Sequence, residues 1–213
     1  MKIKIDFKND FPTVHLAAGD FDLYVNGFNG CDTVKYGKEL SGQTATLKSL
    51  CELSDAVEKT VVCAFDTDNY GILKKSVGVF DKGKLLGISD MSVAYSDSFY
   101  MPGCGGKLYQ NSACKFGVAV EDDLHSFSLF KSLAICGAEL IIAVSDFTKK
   151  EINSILIRAY SYLLGIPTVL LFKNGCYVSN VNGELISPEQ DGIYRVEPYT
   201  DFILKTTKTR LKR

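Results

Sequence analysis

GVAVEDDLHSFSLFKSLAICGAELIIAVS, residues 117–145, holds two apolar segments on either side of a segment with helical spacing. KFGVAV (115–120) is apolar and rich in β-formers, which predicts a buried strand, and ELIIAVS (139–145) predicts a second one. Between them, apolar residues three and four positions apart predict a helix from Asp123 to Cys136. A strand, a helix and a strand in this order indicate a layered α/β domain.

Three carboxylates, Glu121, Asp122 and Asp123, lie at the corner between the first of these strands and the helix. Corners of this kind are where α/β enzymes often place a nucleophile or a phosphate-binding turn. A carboxylate is a weak nucleophile. Neither common use of such a corner therefore explains why three carboxylates lie there.

Strands, hairpins and helices alternate along the rest of the chain. Asn-Gly and Asp-Lys-Gly turns separate several of the strands, which is typical of hairpins. Hairpins mixed with strand–helix–strand units predict an α/β domain with a mixed sheet. The further strands are predicted over 2–7, 21–28, 60–65, 168–172, 176–180 and 183–187, with a hairpin over 74–89 and helices over 44–58 and 150–164.

The composition is that of a globular protein. The chain has 213 residues, of which 46% are hydrophobic and 23% are charged, and its net charge is −1. Because a chain of this length buries about 70% of its unfolded surface, we expect a single domain over 1–204 and a basic tail over 205–213. The near-zero net charge gives no argument for a nucleic-acid or membrane partner.

The seven cysteines are an odd number, and no two are spaced as C-x-x-C. That pattern is typical of free thiols in a reducing cytoplasm rather than of a disulfide framework or a zinc site. The first residues lack the apolar core of a signal peptide, and no apolar run approaches about 18 residues. We therefore expect a soluble, cytoplasmic protein.

Common catalytic and nucleotide-binding motifs are absent from the sequence. It contains no GxxxxGK[ST], no GxGxxG after a strand and no GxSxG. Only two histidines occur, His15 and His125, and a Ser-His-Asp or Cys-His system would need one of them. We expect no cofactor and no metal ion.

The quoted stretch resembles the nitrilase, or carbon–nitrogen hydrolase, superfamily. Members carry a pattern close to G-v-a-I-C-Y-D-L-R-F-P-E-L-F-R-x-L-A-x-x-G-A-E-I-I-x-x-P-S. Similarity extends in the same order through VVCAFDTDNYGILKKSVGVFDKGKLLG, FYMPG, ILIRAY and NVNGELISP, so that it covers roughly 20–190. The matching residues in the quoted stretch are Gly117, Val118, Ala119, Asp123, Leu124, Leu129, Phe130, Leu133, Ala134, Gly137, Ala138, Glu139 and Ser145.

The resemblance implies a fold and an assembly. Members of this superfamily have a four-layer α-β-β-α sandwich with two mixed sheets, and they usually dimerise through helices on one face. The expected partner is therefore a second copy of the chain, in a homodimer. Asp123 matches the family's structural aspartate, and we expect it to cap the helix that follows.

The family's catalytic residues are a Glu-Lys-Cys set, and none of the three is retained. The thiolate attacks an amide or nitrile carbon, the glutamate moves protons, and the lysine stabilises the oxyanion. In this chain the nucleophile position falls on Glu121, the base position on Phe28, and the lysine position on Met91 or Asp90. All three positions are replaced together, which indicates a lost activity rather than a slip in alignment.

Three hypotheses remain open from the sequence. The first is a pseudoenzyme that acts as a small-molecule-binding or subunit protein, with pocket candidates Glu121, Asp122, Asp97 and Ser145. An open pocket with Glu121 at its floor would favour a ligand, and a filled one would favour a scaffold.

The second hypothesis is a hydrolase of carbon–nitrogen bonds with a rebuilt carboxylate site. Glu121 would act as general base there, with Asp90 and Asp97 close to it, and a metal ion could assist through oxygen ligands. The third is the family's own reaction, carried out by a displaced thiol such as that of Cys104 or Cys114.

Overall fold

Two mixed β-sheets lie face to face at the centre of the protein, and helices cover the outer surface of each sheet. This computed structural model describes residues 1–6, 11–13, 19–94, 98–148, 150–190 and 192–200. The order of layers is helix, sheet, sheet, helix, which confirms the four-layer α-β-β-α sandwich expected from the sequence. The basic tail over 205–213 lies outside the described residues.

The first sheet has the strand order β12-β1-β2-β4-β5-β6, and β3 pairs with the end of β4. Neighbours β1 and β2, and β2 and β4, run parallel, whereas the hairpin strands β4, β5 and β6 run antiparallel. The strands are β1 (Lys2–Asp6), β2 (Leu23–Asn26), β3 (Val34–Lys35), β4 (Thr60–Asn69), β5 (Ile72–Asp81), β6 (Lys84–Asp90) and β12 (Ile193–Arg195).

The second sheet has the order β11-β10-β9-β8-β7. Its three central strands, β8, β9 and β10, are parallel, and the two outer strands are antiparallel to their neighbours. The strands are β7 (Leu108–Gln110), β8 (Lys115–Val120), β9 (Leu140–Val144), β10 (Thr168–Phe172) and β11 (Gly175–Ser179).

Four helices form the outer layers of the described part of the chain. The first sheet is covered by α1 (Tyr36–Leu40) and α2 (Thr46–Ala56), and the second by α3 (Phe127–Ile135) and α4 (Lys150–Leu164). The helix predicted over 150–164 is confirmed. None of the helices in the described ranges has the length and hydrophobicity that crossing a membrane requires.

The predicted helix from Asp123 to Cys136 was wrong in its first turn. Residues Glu121–His125 form a 3-10 turn, and α3 begins only at Phe127, with Ser126 at the N-cap position in a non-helical conformation. Asp123 is therefore not the cap of this helix. The reason is that its carboxylate accepts hydrogen bonds from a neighbouring loop, as described below, which fixes the turn apart from the helix.

Two further differences lie at the sheet edges. The segment predicted as a strand over 183–187 makes only a single bridge, between Leu185 and Ser179. Conversely, the short strands β3 and β12 and the five-residue α1 were not predicted, because two to five residues give too few periods for a hydrophobic pattern to be read.

Alternation along the strands builds the core between the sheets. In β8, Phe116, Val118 and Val120 face the first sheet, whereas Gly117 and Ala119 face the helices. The equivalent alternation in β4, β5, β9 and β10 fills the space between the sheets with Val, Ile and Leu side chains. Each such side chain stabilises the fold by about 1.5–3 kcal/mol relative to an exposed one.

Gly117 lies where β8 passes beneath α3. A Cβ atom there would lie 2.9 Å from both Cδ atoms of Leu133. We expect Gly117→Ala to lower the free energy of unfolding by about 1–3 kcal/mol through overpacking, measured by urea denaturation. If this steric cause is correct, the double variant Gly117→Ala/Leu133→Ala will lose less than the sum of the two single losses. Additive losses would contradict it.

Candidate functional site

The parallel strands of the second sheet end at one edge, and three charged residues follow them there. Glu121 follows β8, Asp146 lies two residues beyond β9, and Lys173 follows β10. The strands are in register, with Val120 opposite Val144 and Val144 opposite Leu171. These charged side chains therefore lie close together, at the edge of an α/β sheet where ligands usually bind.

Glu121 occupies the corner that the sequence singles out. Its φ of 52° lies in the left-handed region, which is uncommon for a residue other than glycine and is found at functional or strained positions. The backbone N–H of Asp146 donates a hydrogen bond of 2.6 Å to Glu121 Oε2. The side chain is thus held against the end of the neighbouring strand β9.

Burial raises the pKa of the Glu121 carboxyl to about 7. The hydrogen bond from Asp146 and the positive charge of Lys75 act in the opposite direction, while the carboxylates of Asp146 and Asp122 raise the pKa further. Because its carboxyl titrates near neutral pH, Glu121 can both hold and release a proton there.

Lys75 enters the same region from the first sheet. It lies on β5 in the alternation with Val77 and Val79, so its side chain points between the sheets. Its Nζ is 3.0 Å from Asp66 Oδ1 on β4 and 3.7 Å from Asp146 Oδ2. Burial opposes the charged form, but the two carboxylates outweigh it, and the pKa of Lys75 is raised.

Two aromatic rings enclose the same ammonium group. Lys75 Nζ lies 4.4 Å from the ring centroid of Phe28 and 4.6 Å from that of Tyr100, which are cation–π distances. The Tyr100 hydroxyl also donates a 2.8 Å hydrogen bond to Asp66 Oδ2. We call the five residues Lys75, Asp66, Asp146, Phe28 and Tyr100 the Lys75 cluster.

The recess beside the Lys75 cluster is too small to admit a water molecule. Two larger cavities elsewhere in the described part of the chain, of about 380 and 390 Å³, share none of their lining residues with it. The recess is lined by Gly27, Phe28, Asn29, Ser145, Asp146, Phe172 and Lys173.

Some of the residues proposed from the sequence meet at this edge. Phe28 belongs to the Lys75 cluster, and Ser145 lines the recess, where its Oγ accepts a hydrogen bond from the N–H of Phe147. Asp122 is buried next to Glu121. The expected pocket residue Asp97 lies outside the described residues.

The two candidates for the lysine position do not join the site. Met91 is buried in the core between the sheets. Asp90 pairs with Ser76 across β5 and β6, on the side of the sheet opposite to Lys75, where Lys74 Nζ lies 3.0 Å from its carboxylate. The structure therefore does not bring Asp90 and Glu121 to a common ligand.

Asp123 has a structural role in the turn. Its Oδ1 accepts hydrogen bonds from the backbone N–H groups of Ser92 and Val93 and from the Ser92 hydroxyl, at 2.7–3.0 Å. Its Oδ2 accepts one from the N–H of Val120. The fully buried carboxylate thus joins the end of β8 to the loop after β6.

Neither displaced cysteine lies at this edge. Cys114 precedes β8 while Glu121 follows it, so the whole strand, about 20 Å long, separates them. Burial raises the pKa of the Cys114 thiol to about 12, which disfavours the thiolate. Cys104 is exposed, and its N–H contacts Asp90. Within the described ranges no three His, Cys, Asp or Glu side chains are grouped to hold a metal ion.

Sequence reasoning missed Lys75, Asp66, Asp146 and Tyr100. Asp66 and Lys75 could have been suspected because a charged residue interrupts an otherwise apolar strand, as in AFD in β4 and KKSVGVF in β5. That signal could not tell Lys75 from Lys74, because only the register of the hairpin decides which of two adjacent residues faces the core.

Comparison with known proteins defines the fold. The sequence matches no protein-family model and no curated protein. A nitrilase-superfamily amidase from Nesterenkonia AN1 superposes with a TM-score of 0.76 at 14% identity, covering 100% of this chain and 97% of that chain. Saccharomyces cerevisiae Nit3, a member of branch 10 of the nitrilase superfamily, gives 0.76 at 15% identity, covering 98% and 93%.

A third solved structure agrees with these two. The carbon–nitrogen hydrolase from Helicobacter pylori G27 superposes with a TM-score of 0.67 at 16% identity, covering 90% of this chain and 81% of that chain. Identities this low establish the fold and nothing finer. The chain therefore has the nitrilase-like sandwich that the sequence resemblance implied.

Replacing Lys75 tests how much the protein depends on the Lys75 cluster. We expect Lys75→Met to lower the free energy of unfolding by about 2–4 kcal/mol, because Asp66 and Asp146 would lose their shared cation while partly buried. The matched control is Lys74→Met, the neighbouring lysine on the other side of the sheet. We expect it to lose less stability, because Lys74 is 29% exposed against 9% for Lys75 and Asp90 keeps its hydrogen bonds from the Ser76 hydroxyl and the N–H of Cys104. If the two variants lost the same free energy of unfolding, Lys75 would not have the special structural role described here.

The raised pKa of Glu121 predicts a pH-dependent stability. Between the ordinary value of 4.5 and about 7, the folded protein holds the proton and the unfolded chain does not. The free energy of unfolding must therefore fall as pH rises through this range, by about 1–3 kcal/mol from this group. Glu121→Gln removes the titration and keeps the shape, so the denaturation profiles of the two proteins should run together below about pH 4.5 and separate progressively between about pH 4.5 and pH 7. If the wild-type and Glu121→Gln profiles ran parallel over the whole pH range, the pKa of Glu121 would not be raised in the folded protein.

Proposed function

We propose that this chain is a nitrilase-superfamily protein that does not hydrolyse carbon–nitrogen bonds and acts as a binding or subunit protein. The observation that carries the proposal is the state of the nucleophile position. Glu121 stands there, with its carboxylate bonded to the N–H of Asp146, and its pKa near 7 reflects burial rather than activation for attack.

The family's reaction needs a thiolate, a base and an oxyanion-stabilising lysine at fixed positions. In one solved amidase of this superfamily the acetamide moiety of fluoroacetamide is attached to the active-site cysteine. In this chain Glu121, Phe28 and Met91 or Asp90 stand at the corresponding positions. Phe28 cannot carry a proton, and its ring contacts Lys75 instead.

The filled site favours a subunit or scaffold role over small-molecule binding. Lys75 already has two carboxylates and two aromatic rings around its ammonium group. An incoming cation would have to displace it, and an incoming acid would meet Asp66 and Asp146. By family analogy the partner is a second copy of the chain, in the cytoplasm.

A second candidate function is hydrolysis of carbon–nitrogen bonds by a rebuilt site. Two observations favour it: Glu121 titrates near neutral pH, and Lys75 is close enough for its charge to affect that titration. In such a mechanism Glu121 would take a proton from water, and Lys75 would stabilise the developing oxyanion. In this mechanism the carboxylates near Glu121 would be Asp66 and Asp146, rather than the Asp90 and Asp97 predicted from the sequence.

Turnover assays separate the two candidates. Butyramide, which is bound by a cysteine variant of the Nesterenkonia amidase, is tested together with other amides, nitriles and N-carbamoyl compounds. We expect no turnover by the wild-type protein or by Glu121→Gln, because neither has a thiolate or a paired base at the corner.

Any turnover by the purified protein would contradict the proposal, and the variants would locate its source. Activity that is lost in both Glu121→Gln and Lys75→Met but kept in Lys74→Met would establish the rebuilt site. Activity kept in all three variants would place the reaction elsewhere in the molecule.

A further inference from the structure

Two thiols lie in contact on the outer, helix-covered side of the first sheet. Cys31 Sγ is 3.2 Å from Cys63 Sγ, although the residues are 32 positions apart in the sequence. The described residues include all seven cysteines, and within them this is the one pair of thiols in contact. A disulfide has an S–S length of about 2.05 Å, so an approach of about 1 Å would join the two sulfurs.

The two cysteines differ in access to solvent. Cys63 lies on the outer side of β4 and is fully buried, whereas Cys31 is half-buried. The hydrogen bond with Cys31 and burial both raise the pKa of Cys63 well above its ordinary value. An oxidant from solvent therefore reaches Cys31 first, and Cys63 is placed to react second.

Cys31 is directly connected to the candidate site. It follows the 3-10 turn Phe28–Gly30, and the ring of Phe28 covers the Lys75 ammonium group. Cys63 belongs to the same strand as Asp66, the other neighbour of Lys75. A bond between the two sulfurs would join the turn covalently to the strand on which the site is built.

We propose that Cys31 and Cys63 are a redox site, whose reversible disulfide fixes the Phe28 turn over Lys75. The oxidant is a low-molecular-weight disulfide, RSSR. The Cys31 thiolate attacks one sulfur of RSSR, the S–S bond breaks, and RS⁻ leaves. The product is a mixed disulfide between Cys31 and SR. Cys63 then gives its proton to the departed RS⁻ or to solvent and attacks Cys31 Sγ, so that the mixed disulfide breaks and the second RS⁻ leaves. Overall, two thiols lose two electrons and two protons, and RSSR becomes two RSH.

Glutathione disulfide applied to the folded full-length protein tests the proposal. We expect peptide mapping by mass spectrometry to find a Cys31–Cys63 disulfide, with dithiothreitol restoring both thiols. Hydrogen exchange at the amides of residues 27–31 should slow by roughly tenfold or more on oxidation, because the bond closes a loop that local opening would otherwise release.

Variants assign each cysteine its step. In Cys63→Ser we expect glutathione to remain attached to Cys31, and in Cys31→Ser we expect no bond at Cys63. The control Cys104→Ser removes an exposed thiol and should keep the Cys31–Cys63 bond. Glutathione that stays on Cys31 in the wild-type protein, a bond elsewhere, or unchanged exchange at the turn would each overturn the proposal.

Discussion

The enclosure of one cation, Lys75, determines the arrangement of this end of the molecule. Removing an ammonium group from water costs several kcal/mol, which only close carboxylates and rings can offset. Those partners come from β4, from the segment after β9, from the Phe28 turn and from the loop before β7. A single buried charge thus connects both sheets and two loops.

The position of this cation follows from the sheets themselves. Along β4 the residues that face inward are Val62, Ala64 and then Asp66, and along β5 they are Val79, Val77 and then Lys75. The change from apolar to charged occurs at the same level on both strands, because the hairpin places Asp66 directly opposite Lys75. The apolar core between the sheets therefore ends at the Asp66–Lys75 pair, and the Lys75 cluster begins there.

The sequence predicted the parts of the fold that are set by hydrophobic period. The strands over 115–120 and 139–145 and the helix over 150–164 were found because burial on one or both faces imposes a regular pattern. The start of α3 was predicted wrongly because Asp123 bonds to the loop after β6, a contact between distant residues. Glu121 could be identified because its position between a strand and a helix is visible in the local sequence. Lys75 could not, because the pairing of β5 with its neighbours decides whether residue 74 or residue 75 faces the core.

The charges around Lys75 balance one another, and a ring at residue 28 is consistent with that balance. Lys75 and Lys173 are two cations within 4 Å of Asp66 or Asp146, which are two anions. A glutamate in place of Phe28 would add a further negative charge to this balanced set, whereas a phenyl ring stabilises the cation without adding charge. Glu121 is an additional acid beside it, and its carboxyl holds a proton up to about pH 7 because burial and the nearby carboxylates disfavour its charge. The ammonium group of Lys75 thus has its charge balanced by carboxylates and its remaining surface covered by two aromatic rings.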